Sequence, residues 1–99
     1  MAKAIKPNYE VNGKHMFHFR GIKAYYLSPT NYLGSRVALN DTRHKQRIYI
    51  SWDYKLSDLK AIAMNELNKR NIKVDGFTYD ERSGEYTLLT RDFETMLRR

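Results

Sequence analysis

The sequence predicts an α+β domain, an antiparallel sheet packed on one main helix, in the order β-β-β-α-β-β-α. Three observations carry this. Apolar and polar residues alternate in three successive stretches between residues 15 and 54. Residues 57–71 instead space their apolar residues as a helix does. Two more β-rich stretches follow, separated by a glycine-containing turn. A chain of 99 residues fits one domain. We divide it into an N-terminal arm over 1–13, carrying Pro7, Asn8, Asn12 and Gly13 without sustained periodicity, and a single α+β domain over 14–99.

The first stretch, "FHFRGIKAYYL", is aromatic and β-branched, with Gly21 read as a bend or bulge. Beyond it, Ile22, Ala24 and Tyr26 alternate with Lys23, Tyr25 and Leu27. "SPTNYLG" is dense in turn formers and makes a loop. "SRVALN" and "QRIYISWDY" are the next two strands, joined through "DTRHK". A period of two sorts the three strands into two faces. Ile22, Ala24, Tyr26, Val37, Leu39, Ile48, Ile50 and Trp52 collect on one, and Lys23, Tyr25, Arg36, Arg47 and Tyr49 on the other.

The apolar face needs a cover, and "LSDLKAIAMNELNKRN" supplies it through Leu59, Ile62, Ala63 and Leu67. Ser57 is the expected N-cap and Asn71 the left-handed terminator. "IKVDGFTY" and "EYTLLT" flank the turn "DERSG". The end, "TRDFETMLRR", predicts a short helix with Phe93, Met96 and Leu97 on one face and Thr90 or Asp92 as its cap.

Charge is distributed unevenly. The net charge is +7, and residues 1–50 hold nine Lys/Arg against two acids, Glu10 and Asp41, whereas residues 51–99 hold nine of each. Such asymmetry points to a polyanionic partner. The densest basic run is "TRHKQR", with Arg43, His44, Lys45 and Arg47. A run of this kind ordinarily marks a solvated hairpin tip. Here it joins a face that already carries Lys23, Arg36, Tyr25 and Tyr49. Cations neutralise phosphates, and exposed tyrosines stack on unpaired bases. The nucleic-acid- or partner-binding set is therefore Lys23, Tyr25, Arg36, Arg43, Lys45, Arg47 and Tyr49.

Other chemistry finds little support. The chain has no cysteine, so it has neither disulfide nor thiolate metal site. His15 and His18 stand three apart, which on a strand turns them to opposite faces. There is no glycine-rich phosphate loop, paired-acid motif or Ser/His/Asp set. Asp53 at a strand end is read as a cap for the turn after it. We expect no catalytic residues, no cofactor and no metal. No apolar run approaches the roughly 20 residues that cross a bilayer, so no membrane association is expected. An edge strand could pair with a second copy, which leaves a homodimer open.

Tyr26-Leu27-Ser28-Pro29-Thr30-Asn31, Gly34-Ser35-Arg36-Val37 and Ile48-Tyr49-Ile50-Ser51-Trp52-Asp53 followed by a helix carry a resemblance. Over residues 24–70 the chain resembles small uncharacterised proteins of phages and other bacterial mobile elements. The resemblance implies a setting, the cytoplasm of a bacterial host, and no established activity. A nucleic-acid-binding phage protein follows as the first reading. The alternative is a phage-encoded inhibitor of a host defence or nucleic-acid-handling complex, of the anti-CRISPR type, docking on an acidic protein surface. In architecture alone, three antiparallel strands on a helix are similar to plant ethylene-response DNA-binding domains and the N-terminal domains of some tyrosine recombinases.

Overall fold

The computed structural model describes residues 8–98. Among these, the elements are β1 (Asn8–Val11), β2 (Lys14–Phe17), β3 (Arg20–Leu27), β4 (Arg36–Asp41), β5 (Gln46–Ser51), α1 (Leu59–Lys69), β6 (Gly76–Asp80) and β7 (Glu85–Thr90). β3 to β7 form one antiparallel sheet in the order β5-β4-β3-β7-β6, and β1 and β2 pair separately. The α+β class stands. The two strands expected after α1 are present, but the final helix is not, a single helix being found among the described residues, and β1 and β2 precede the three strands expected before it.

The central strand is β3, held by β4 on one side and β7 on the other. Ile22 pairs with Asp41 and Leu88, and Ala24 with Leu39 and Tyr86, while Leu39 and Val37 pair onward with Ile48 and Ile50. These registers put Ile22, Ala24, Val37, Leu39, Ile48 and Leu88 on one face, all buried. α1 lies across β3 and β4. It presses Ile62, Ala63 and Leu67 into the same cluster, joined by Ile72 and Leu97.

Helix ends follow local chemistry. Asp58, not Ser57, is the N-cap, its carboxylate accepting from the Lys60 amide at 3.2 Å. Ser57 has φ +46° and gives its hydroxyl to the Tyr54 carbonyl instead, at 2.6 Å. Asn71 terminates the helix at φ +64°, as expected, and Ile72 closes the turn by donating to the Leu67 carbonyl at 2.9 Å.

The arm over 1–13 lies partly outside the described residues, but Asn8–Val11 is strand, turned onto β2 by Asn12 and Gly13 at φ +51° and +75°. Two successive left-handed residues of type Asn-Gly make the tight hairpin turn that matches strand twist. Gly21 is no bulge. It sits within β3, where a Cβ would stand 2.9 Å from the Thr87 methyl carbon, so glycine lets β7 approach.

The expected C-terminal helix is absent. Residues 91–98 are irregular. Asp92 does cap, accepting from the Glu94 and Thr95 amides at 2.9 and 3.0 Å. Yet several of its carbonyls, those of Asp92 and Phe93 among them, which a helix would use for its own ladder, are taken by distant side chains. Arg20 donates to the Asp92 carbonyl at 2.9 Å, Arg43 to that of Phe93 at 2.8 Å and Gln46 to that of Arg98 at 3.0 Å. Arg70 takes the Leu97 carbonyl. A segment this short cannot sustain a helix on its own bonds, and these contacts fix it as an irregular strap over the core.

Candidate nucleic-acid interface

The face of the sheet opposite α1 is set by the same registers. On β3, β4 and β5 its outward residues are Lys23, Tyr25, Leu27, Arg36, Ala38, Asn40, Arg47, Tyr49 and Ser51. None is acidic. The outward acids are Asp80 on β6 and Glu85 on β7, at the opposite side of the sheet. Cations therefore share one half of the face and acids border the other.

Tyr25, Ala38 and Tyr49 form one cross-strand row. Ala38 is wholly shielded although it points away from the core. The two flanking tyrosines are the side chains placed to cover it. Tyr49 keeps 53% of its surface exposed. The Arg36 guanidinium carbon lies 5.5 Å from the Tyr49 ring centre, a cation–π contact. The Arg36 Nε is shielded and has no hydrogen-bond partner. Arg36 thus lies down along the sheet, whereas Lys23 and Arg47 are exposed.

Arg47 is held more firmly in its charged form than usual. Hydrogen bonding with the Tyr49 side chain, together with the nearby Tyr25 and Tyr49 hydroxyl groups, raises its pKa. Arg47 pairs across the ladder with Asn40, which pairs in turn with Lys23. Asn40, Thr42, Lys45, Gln46 and Arg47 line an open depression of about 400 Å³ at the β4–β5 turn. Lys45 closes that turn at φ +54° and lines the depression together with Arg47.

Of the residues expected to bind, Lys23, Tyr25, Arg36, Arg47 and Tyr49 share the face and Lys45 adjoins it. Arg43 does not. Its Nε bonds to the Phe93 carbonyl and its guanidinium covers the Phe93 ring at 5.3 Å. The Phe93 ring also meets His18 at 5.1 Å. Sequence reasoning missed Asn40, although its place between Leu39 and Asp41 assigns it to the outer face.

The "SPTNYLGSR" loop largely satisfies itself. The Thr30 hydroxyl accepts from the Tyr32 and Leu33 amides at 3.3 and 3.0 Å. The Tyr26 and Ser35 hydroxyls meet at 2.8 Å, and the Tyr26 and Trp52 rings meet edge to face. Asp53 caps the next turn, accepting from the Lys55 amide at 2.9 Å. Among the described residues no group of three His, Asp or Glu side chains is placed to hold a metal ion. No helix among them is long and apolar enough to cross a membrane. In comparison with known proteins, no family model, curated protein or solved structure matches the chain.

Proposed function

We propose that the chain binds nucleic acid through the outer face of β3, β4 and β5. The observation that supports this reading is the composition of that face: Lys23, Arg36 and Arg47 around two tyrosines, with no acid among its outward residues. Lys45 extends it at the turn. Phosphates would be neutralised by the four cations and bases held against the tyrosines. The resemblance over residues 24–70 supplies a setting, a protein of phage or mobile DNA in a bacterial cell, and the chain would act there without catalysis.

Electrophoretic shift and anisotropy assays at low salt, with single- and double-stranded DNA and RNA, test the reading. Binding that collapses in the Arg36→Glu/Arg47→Glu double variant supports it. Absence of binding to all four at low salt overturns it, as does a folded double variant that binds as well as the parent.

A second reading rests on a different observation. Two adjoining loops expose Tyr32, Leu33, Tyr54 and Leu56, at 94%, 51%, 76% and 41%. Exposed apolar and aromatic side chains grouped in this way are typical of protein-binding surfaces. A host complex would be blocked by docking of this end, with the basic face lying on an acidic neighbour. A stoichiometric protein partner that survives nuclease and is lost on Tyr32→Ala/Leu33→Ala substitution favours this reading.

A further inference from the structure

We infer that the outer face takes single-stranded nucleic acid, DNA or RNA, in preference to duplex; this rests on the nucleic-acid reading above. The first ground is width. Adjacent strands lie about 4.8 Å apart, so the cation-bearing strip from β3 to β5 is only about 10 Å across. The two backbones of a duplex flank a major groove about 12 Å wide. A duplex that lays its major groove on the strip, with one backbone over β5, places the other beyond β3, toward β7 and β6. There the outward residues include Glu85 and Asp80, which repel phosphate. Across its minor groove, about 6 Å wide, both backbones fit the strip, but the low face of the sheet has nothing to insert there. A single strand following β5 passes Lys45, Arg47 and Tyr49 and never meets those acids.

The second ground is height. Ala38 is fully shielded between Tyr25 and Tyr49, so the rings form a low aromatic surface over it. Arg36 is pinned along Tyr49 with its Nε shielded. A guanidinium held down in this way offers a flat face and lateral donors. It does not reach into a groove to read base edges, as a duplex-binding arginine must. A half-exposed ring next to a flat guanidinium is instead a stacking platform for bases that have left a duplex.

The test uses fluorescently labelled 15-nucleotide oligo-dT and oligo-U, and a blunt mixed-sequence duplex of the same length, all at low salt. Anisotropy should give at least tenfold tighter binding for a single strand than for duplex. Tyr49→Ala should lose about tenfold in single-strand affinity, within the usual range for one stacked base. Tyr49→Phe, which keeps the ring, should retain most of it. Circular dichroism and melting of both variants confirm that the exposed site leaves the fold intact. Duplex binding equal to or tighter than single-strand binding overturns the inference and leaves the nucleic-acid reading standing. So does a folded Tyr49→Ala protein with unchanged single-strand affinity. No binding to any of the three probes removes the nucleic-acid reading itself.

Discussion

Arg20 Nη2 stands 3.6 Å from the Asp41 carboxylate, and solvent reaches almost none of either side chain. Burial lowers the Arg20 pKa, opposed by the charges of Asp41 and Asp92. The same carboxylate meets His44 Nδ1 at 2.7 Å. Replacing Arg20 with Met leaves the buried Asp41 carboxylate with only His44 and the Arg43 amide as partners and should cost about 3 kcal/mol. Adding Asp41→Leu should recover at least about 1 kcal/mol, since an apolar pair can stand in for a buried ionic one. Urea denaturation of the two variants measures both. Equal losses would mean that the pair does not act as a unit.

Acid should weaken the fold through Asp75 and Asp92. A hydrogen bond from the Arg91 amide, at 3.0 Å, lowers the Asp75 pKa. Burial pushes Asp92 up, but hydrogen bonds from Thr95 and Glu94 outweigh it and leave that pKa low too. Both native values lie below the unfolded one, so the unfolded chain takes up protons first as pH falls. Their contribution is full above about pH 4 and is lost as pH drops through the native values. Calorimetric melts should be steady from pH 7 to 5 and fall below about pH 4. Asp75→Asn and Asp92→Asn should each melt lower at pH 7 and show a shallower acid decline.

Gly21→Ala should destabilise by about 1–2 kcal/mol, since the new methyl meets the Thr87 methyl carbon at 2.9 Å. Thr87→Ser removes that methyl and should rescue the variant. Without rescue in equilibrium unfolding, the close approach is not the reason for glycine.

Ile48→Asp should unfold the domain, because Ile48 is 7% exposed and packs in the main cluster. Arg47→Glu, one residue earlier on the opposite face, should leave the melting temperature unchanged. Arg36→Glu should cost about 0.5–1 kcal/mol, the worth of its contact with Tyr49. Thermal melts of the three proteins check the strand register directly, since a slip of one residue would exchange the Ile48 and Arg47 results.

Salt should report how many cations face outward. Four phosphate contacts from Lys23, Arg36, Lys45 and Arg47 give a slope of log affinity against log salt of about −3 on a single strand. The net charge of +7 would give about −5 if every excess cation took part. Anisotropy titrations across 25–200 mM salt, an order-of-magnitude working range, separate the two.

Much of the sheet was legible because alternation is a local signal. It assigned Ile22, Ala24, Val37, Leu39 and Ile48 to the core and Lys23, Arg36, Arg47 and Tyr49 to the other side. Tyr26 stays 45% exposed despite its core-side register, being held near the sheet end against Trp52 and Ser35. The same alternation places Arg20 and Asp41 inward, a signal that their charge obscured. The Asn12-Gly13 turn was also readable. The C-terminal strap was not. Its apolar spacing does suit a helix, and what overrides it is a set of side chains, Arg20, Arg43, Gln46 and Arg70, that lie 27 to 72 positions away in sequence. That Arg43 lies apart from the basic face was hidden for the same reason, since nothing near it in sequence reveals Phe93.

The pairing of β3 with β7 also dictates when the chain can fold. Strand Arg20–Leu27 is made early, but the neighbour that completes its second edge is Glu85–Thr90. At 5–20 residues per second, the roughly 60 residues between them take about 3 to 12 s to synthesise. Through that interval the middle of the future sheet is an open edge. Leu97, which seals the core, arrives later still. β3, β4, β5 and α1 can pair and pack as they emerge, but the sheet is completed only when β7 arrives. A ribosome stalled before β7 would display the central strand of the sheet with one edge paired to β4 and the other open to the chaperones of the cell.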